Sequence, residues 1–231
     1  MKKILTAILL FDMAAGLLFS YLYGMRSRAI AADSGMANVA AGLETEDVRK
    51  IAITFDDGPH PRYTEQLLDG LKERGVVATF FVTGEHAELH PEVIERMKEE
   101  GHLVGNHTYS HIQLTKNNRE AFKKELIKTN EILKGITGEE VQYVRPPYGS
   151  WDKSFEKELN MFPVLWTVDT LDWSSRNVGC ITEKIVSKTG ENDIILMHDY
   201  YETSVTAALK AIDKLLEEGY TFVTVEEILF D

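Results

Sequence analysis

A single cysteine, Cys180, occurs among 231 residues. One thiol excludes an internal disulfide and any zinc site built from several cysteines, and Cys180 reads as a small apolar filler. Basic residues are also few: 25 Lys and Arg stand against 37 Asp and Glu, a formal net charge of −12. A field of that sign repels polyanions, so nucleic acid is disfavoured as a substrate and a neutral or cationic polymer suits better. No internal sequence repeat is present. At 44% hydrophobic and 27% charged, the chain can bury one sizeable core but is short for two full catalytic domains.

Only one long apolar run exists, and it lies at the N-terminus. Lys2 and Lys3 precede apolar residues 4–24, which Arg26, Arg28 and then Ala29-Ile30-Ala31-Ala32 follow. This pattern reads as an export element, a signal peptide or an N-terminal membrane anchor, and not as part of the fold. A run of about twenty residues can span a bilayer. Asp12 interrupts it at a cost of up to ~3 kcal/mol if it were central, and the small residues after Arg28 resemble a cleavage site. The balance leans towards an uncleaved anchor or slow cleavage, and either places the rest outside the cytoplasm. The expected organisation is therefore residues 1–28 as signal peptide or anchor, 29–48 as a flexible tether with a reach of about 25 Å, and 49–231 as the folded domain. A monomer is expected.

From residue 50 onward, short β-branched or aromatic runs alternate with amphipathic stretches. The runs are 51–55, 76–82, 102–105, 142–144, 164–168, 193–197 and 221–223. Helical patterns cover 63–74, 91–100, 119–133, 181–188 and 204–218, several closed by a glycine (Gly75, Gly101, Gly135, Gly219) as a C-cap requires. Strand and helix alternating about seven times predicts an α/β single domain with a parallel sheet and crossover helices.

Candidate chemistry sits at the strand ends. Thr54-Phe55-Asp56-Asp57-Gly58-Pro59 closes the first run, and His107 and His111 follow the third at a spacing of one helical turn. Two histidines and one carboxylate leave coordination positions open on a divalent ion, which distinguishes a catalytic site from a sealed structural one. The second carboxylate is then free to take a proton. Neither motif is specific alone, because Asp-Asp-Gly-Pro is also an ordinary turn and paired histidines often decorate helices. Their placement decides the matter. Arg145 follows the fourth run, Asp169 the fifth and His198 the sixth, so five strand ends bring titratable groups to one rim, where α/β folds gather function. That convergence predicts a metal-dependent hydrolase.

Five motifs in order carry a resemblance: Thr-Phe-Asp-Asp-Gly-Pro at 54–59, His-Thr-Tyr-Ser-His at 107–111, Arg-Pro-Pro-Tyr-Gly at 145–149, Asp-Thr-Leu-Asp-Trp at 169–173 and Leu-Met-His at 196–198. From about residue 49 to the C-terminus the chain resembles the NodB-homology polysaccharide deacetylases, carbohydrate esterase family four. The resemblance implies a distorted (β/α)7-type barrel. It also implies hydrolysis of N-acetyl groups on a β-1,4-linked amino-sugar glycan, with peptidoglycan first and chitin oligomers or poly-N-acetylglucosamine next. It further implies a metal held by Asp57, His107 and His111: zinc first, with cobalt and manganese compatible with the same ligands. Asp56 would be the general base, oriented by Arg145. His198 would be the general acid, tuned by Asp169, and the backbone N–H of Tyr148 would face the oxyanion. Trp173, Leu196 and the ring of Tyr148 would receive the acetyl methyl and a sugar face. Asp172 is left without a step, and His60, His86, His90 and His102 read as surface or capping residues. An O-acetyl esterase acting on xylan and a catalytically silent envelope glycan-binding protein are the rival readings.

Overall fold

The computed structural model describes residues 48–230; the expected anchor and most of the tether lie outside the described residues. In chain order the elements are β1 (Arg49–Asp56), α1 (Tyr63–Arg74), β2 (Thr79–Val82), α2 (Gly84–Leu89), α3 (Pro91–Glu99), β3 (Leu103–Asn106), α4 (Arg119–Thr137), β4 (Tyr143–Val144), α5 (Ser154–Leu159), β5 (Phe162–Pro163), β6 (Val168–Asp169), α6 (Val178–Lys188), β7 (Ile194–His198), α7 (Glu202–Glu217), β8 (Tyr220–Phe222) and α8 (Val225–Phe230). A short 3₁₀ turn, Pro147–Gly149, follows β4.

β1 is apolar on both faces, and Ile51 to Asp56 are all buried. Such a strand belongs at the centre of a parallel sheet covered by helices. It pairs with β2 along one edge and β7 along the other, both parallel. The sheet runs β5-β4-β3-β2-β1-β7-β6, with β8 alongside the first residues of β1. Every pairing is parallel, and the seven strands curl into a half-barrel with helices outside, the distorted (β/α)7 architecture that the resemblance implies.

Helices cover the sheet with their apolar stripes. α7 buries Val205, Ala207, Ala208, Ala211, Ile212 and Leu215, and α1 buries Leu67, Leu68 and Leu71. Gly70 lets these two helices approach: a Cβ there would lie 2.5 Å from Leu209 Cδ1. Among the described residues no helix is long and apolar enough to cross a membrane.

Three local expectations change. The run at 164–168 is not one strand: β5 ends at Pro163, β6 begins at Val168, and in the break between them Arg145 donates to the carbonyls of Val164 and Leu165. Gly135 lies inside α4, which continues to Thr137 and ends on Gly138 in the left-handed conformation at φ 75°. Gly75, Gly101 and Gly219 adopt the positive φ expected of helix ends. α2, α5 and α8, each six residues long, carry too few periods to be seen in the pattern.

Register then places the rim residues. Asp56 stands opposite His198 across the β1–β7 pair, and Asp169 opposite Leu196 across β6–β7. Val82, Asn106 and Val144 align across β2, β3 and β4, so His107 and Arg145, the next residues along their strands, emerge side by side.

Candidate active site

The residues that follow β1 and β3 meet at the C-terminal rim. Asp57 Oδ1 lies 3.4 Å from His107 Nε2 and 3.4 Å from His111 Nε2. Ligand atoms of these three residues all fall within 4.8 Å of one another. The two histidines do not share a helix, contrary to their spacing: 107–111 is a loop in which Thr108 and His111 take positive φ values of 62° and 57°. Asp57 is left-handed too, at φ 73°. Three non-glycine residues in that region within one small cluster is strain concentrated at a site.

The donor set fits a divalent cation on its own chemistry. His107 Nδ1–H donates to the carbonyl of Arg145 at 2.6 Å, which leaves Nε2 with its lone pair facing Asp57. Burial lowers the pKa of His111 and favours the neutral, ligating form. Asp57 Oδ1 is buried with no hydrogen-bond partner, an orphaned anion between two imidazoles. Burial opposes ionisation of Asp57, but His107 with the charges of His198 and His111 outweighs it and holds the pKa at about 2.

Arg145 is not a surface ion pair. Its side chain is fully buried, donates from Nη1 to Asp56 Oδ1 at 2.9 Å and to Thr54 Oγ1, and is fixed by the carbonyls of Val164 (3.1 Å) and Leu165 (3.2 Å). Its guanidinium also lies 4.3 Å from the centre of the Phe81 ring. This network locks one oxygen of Asp56, and the other, Oδ2, faces His107 Nε2 at 3.8 Å. Truncating either partner would strand a buried charge, a change that costs about 3–5 kcal/mol.

His198 Nε2 points at the same cluster, 4.0 Å from Asp57 Oδ2. Its partner differs from the one expected. Asp172 Oδ1 accepts from His198 Nδ1 at 2.9 Å, and Asp172 Oδ2 accepts from the His198 backbone N–H at 2.9 Å. Asp169 instead accepts the backbone N–H of Leu171 at 2.9 Å and lines the cavity. Tuning of His198 therefore passes from Asp169 to Asp172, which is fully buried. The two aspartates lie three residues apart in one motif with a left-handed residue, Leu171 at φ 56°, between them, and Asp172 is the one that faces the imidazole. Burial lowers the His198 pKa, but the hydrogen bond and charge of Asp172, helped by Asp56 and Asp57, raise it to about 9.

A cavity of about 420 Å³ collects Asp56, Asp57, His107, His111, Asp169 and His198, with Tyr148, Trp173 and Leu196 among its walls. Every residue expected at the site lines it except Arg145, which lies buried behind Asp56. Leu196 is 5% exposed and closes the floor, whereas Tyr148 and Trp173 are exposed at the mouth. Tyr148 sits in the 3₁₀ turn at φ 59°, ψ 15°, its ring edge-on to His111 at 5.0 Å. Trp166 completes the wall and was missed, because it falls outside every motif.

Two of the four histidines set aside have larger roles than capping. His86 Nδ1–H donates to the carbonyl of Asp57 at 2.7 Å and supports its left-handed backbone. His102 is buried, its Nδ1 accepting from Ala78 N–H at 3.1 Å while burial pulls its pKa to about 4. His60 does cap, accepting from the N–H groups of Arg62 and Tyr63 at the start of α1. Behind the first motif, Asp199 is also buried. It accepts from Thr64 Oγ1, and a Cβ on Gly58 would lie 2.4 Å from its Oδ2, so position 58 has no space for a side chain.

One carboxylate and two imidazoles converging beside a locked carboxylate and a histidine with a raised pKa define a candidate mononuclear metal-hydrolase centre on a half-barrel. Residues 44–164 match the sequence profile of the polysaccharide deacetylase family. The chain belongs to that family. It is 42% identical over 178 residues to the peptidoglycan-N-acetylmuramic acid deacetylase PdaC of Bacillus subtilis, covering 77% of this chain and 38% of that protein. It is 39% identical over 180 residues to the peptidoglycan-N-acetylglucosamine deacetylase PgdA of Listeria monocytogenes, covering 78% and 39%. A chitooligosaccharide deacetylase of Rhizobium leguminosarum bv. trifolii shares 41% identity over 157 residues, 66% of this chain and 73% of that one. The solved structure of PdaC superposes with a TM-score of 0.77 at 40% identity, covering 79% of this chain and 91% of that one. The matched segments thus span well under half the length of the two peptidoglycan deacetylases.

Proposed function

We propose that this chain is a metal-dependent polysaccharide deacetylase that removes N-acetyl groups from amino-sugar units of a β-1,4-linked glycan, peptidoglycan first and chitin oligomers or poly-N-acetylglucosamine next. The observation that carries the reading is the orphaned Asp57 Oδ1 held 3.4 Å from two imidazole Nε2 atoms, beside a second carboxylate that Arg145 keeps locked. Family membership and the printed activities of the relatives support it.

Asp57, His107 and His111 would hold the cation, zinc first. A divalent ion bound there acidifies water and polarises a carbonyl oxygen. The chain's own groups do the rest. Asp56 Oδ2 takes a proton from the attacking water while Arg145 holds Oδ1, so the base is aimed before substrate arrives. Negative charge then grows on the amide oxygen, and the Tyr148 N–H, fixed by the turn at 147–149, donates to it. The departing amine needs a proton. His198 Nε2–H supplies it, since Asp172 keeps the imidazole protonated with a pKa near 9 and fixes its orientation through Nδ1. Leu196 forms an apolar floor for the acetyl methyl, and the exposed Trp173 and Tyr148 offer faces to the sugar.

Export is part of the same proposal, since the basic-then-apolar start at residues 2–28 suits an enzyme of the cell envelope. The test is acetate release from peptidoglycan, chitohexaose and acetylated xylan side by side, with and without chelator. Chelator-sensitive release from the first two supports the reading. Release from xylan alone would replace it with an O-acetyl esterase.

A further inference from the structure

A separate cavity, of about 730 Å³, is lined by the loop that follows His111 and by the loop that follows the 147–149 turn. It shares no residue with the catalytic cavity, but one turn joins the two: Tyr148 lines the first, and Ser150, whose N–H donates to the Pro147 carbonyl at 3.3 Å, lines the second. We infer that this cavity holds a carboxylate of the peptide stem borne by a peptidoglycan strand, and so selects stem-bearing over uncharged glycan. The inference rests on the deacetylase reading for the identity of the polymer and on the following chemistry for the site.

The side chains that line this cavity without a partner are donors. Lys116 and Lys153 are exposed and pair with no carboxylate among the described residues. Trp151 Nε1–H is buried in the wall with no acceptor, and its ring is held by Phe155 and Phe122 with centres 5.4 and 6.4 Å away. The one carboxylate in the wall is already satisfied. Asp152 Oδ1 accepts from the N–H (2.9 Å) and the hydroxyl (2.7 Å) of Ser154, and its Oδ2 accepts from Arg119 Nε at 3.2 Å. Arg119 is in turn taken up by Asp152 and Glu158. Two unpaired ammonium groups and an unpaired N–H, with no free acceptor among them, suit an oxyanion. α4 contributes the same sign: Asn118 precedes it without capping it, its side chain being engaged by the Thr115 N–H and the Gln113 carbonyl, so the positive end of a 19-residue helix opens at this wall.

Which oxyanion fits follows from charge at two ranges. The chain as a whole carries −12, and a phosphodiester polymer, charged at every repeat, meets that repulsive field along its length. Carboxylates spaced out on side branches of a neutral strand meet it far less, and within a Debye length of about 8–10 Å the two lysines dominate. Peptide stems present their carboxylates in that way. A cavity one turn beyond Tyr148 is also placed for a branch of the strand and not for the reacting sugar. Its volume lies within the range of small-molecule clefts, about 300–1,000 Å³, which leaves room for stem residues around the carboxylate.

The test combines Lys116→Gln with Lys153→Gln, which removes both charges from exposed positions. The kcat/KM for acetate release is measured on soluble peptidoglycan strands with intact stems, and on the same strands after their stem carboxylates have been converted to methylamides. The native enzyme should favour the carboxylate form by about tenfold, the product of two exposed ion pairs at roughly threefold each, and the double variant should barely discriminate. A native enzyme that does not discriminate overturns the site, and so does a preference that survives in the double variant. Equal losses on both strands overturn it as well, because they assign the lysines to support of the fold. Calorimetry on the same strands separates this inference from the deacetylase reading. If neither strand loses acetate, yet carboxylate strands bind and lose about tenfold in affinity in the double variant, the deacetylase reading fails and the site stands. If polyglycerol phosphate binds through the two lysines and carboxylate strands do not, the cavity belongs to a phosphodiester polymer and the stem assignment is overturned.

Discussion

Replacing Asp172 by Asn keeps the shape of the side chain and removes the charge that faces His198. The carboxylate accepts from both Nδ1 and the backbone N–H of His198 at 2.9 Å, and it is the largest influence raising the imidazole pKa to about 9 against a burial effect that lowers it. At pH 7 a group of pKa 9 favours the imidazolium by about a hundredfold, whereas at 6.5 or below neutral imidazole prevails by roughly threefold or more. Because a general acid must be protonated, turnover is retained below the pKa and lost as pH rises through it. The descending limb of kcat should therefore move down by about 2.5 pH units in Asp172→Asn, with a loss of roughly 30-fold at pH 8 that largely recovers at pH 6. A bound cation lowers the limb in both enzymes, so the displacement between them is the quantity to measure. The assay is kcat against pH from 5 to 10 on chitohexaose, with metal content checked at each end. A limb that stays in place, or a loss uniform across pH, would refute the coupling, and a shift in Asp169→Asn instead would return the tuning role to Asp169.

Asp56→Asn should keep its cation by elemental analysis yet lose about 10²–10⁴-fold in kcat, whereas His111→Ala should lose the cation itself. If Asp56→Asn turns over at the native rate, Asp56 is not the base. Gly58→Ala forces a methyl to within 2.4 Å of Asp199 Oδ2 and should destabilise the domain by about 1–3 kcal/mol in urea unfolding, with a native-like midpoint counting against the packing described. Asp199 carries a pKa raised to about 7 by burial, so the unfolded chain ionises from about pH 4 while the folded one does not, and stability falls as pH rises between those values. Relative to wild type, Asp199→Asn should thus gain stability from pH 4 to pH 7, by up to roughly 4 kcal/mol, and a difference that does not vary with pH would remove Asp199 from that account.

What the linear chain determined is largely the list of participants. Alternating apolar runs and amphipathic stretches announce a parallel α/β domain because burial on both faces of a strand and on one stripe of a helix leaves a period in the sequence. Strand ends announce the rim. Asp56, Asp57, His107, His111, Arg145 and His198 could all be chosen on that basis, and the structure brings them together. Three-dimensional packing decided the pairings. Asp169 and Asp172 share one motif along the chain, and the fold, with a left-handed residue at Leu171 between them, gives Asp172 to His198. The spacing of His107 and His111 suggests a helix, yet the positive φ values of Thr108 and His111 put them on a loop beside Asp57. His86 carries no motif, because its hydrogen bond to the Asp57 carbonyl and its stacking on Tyr200 join residues far apart in the chain, for which a one-dimensional period has no signal.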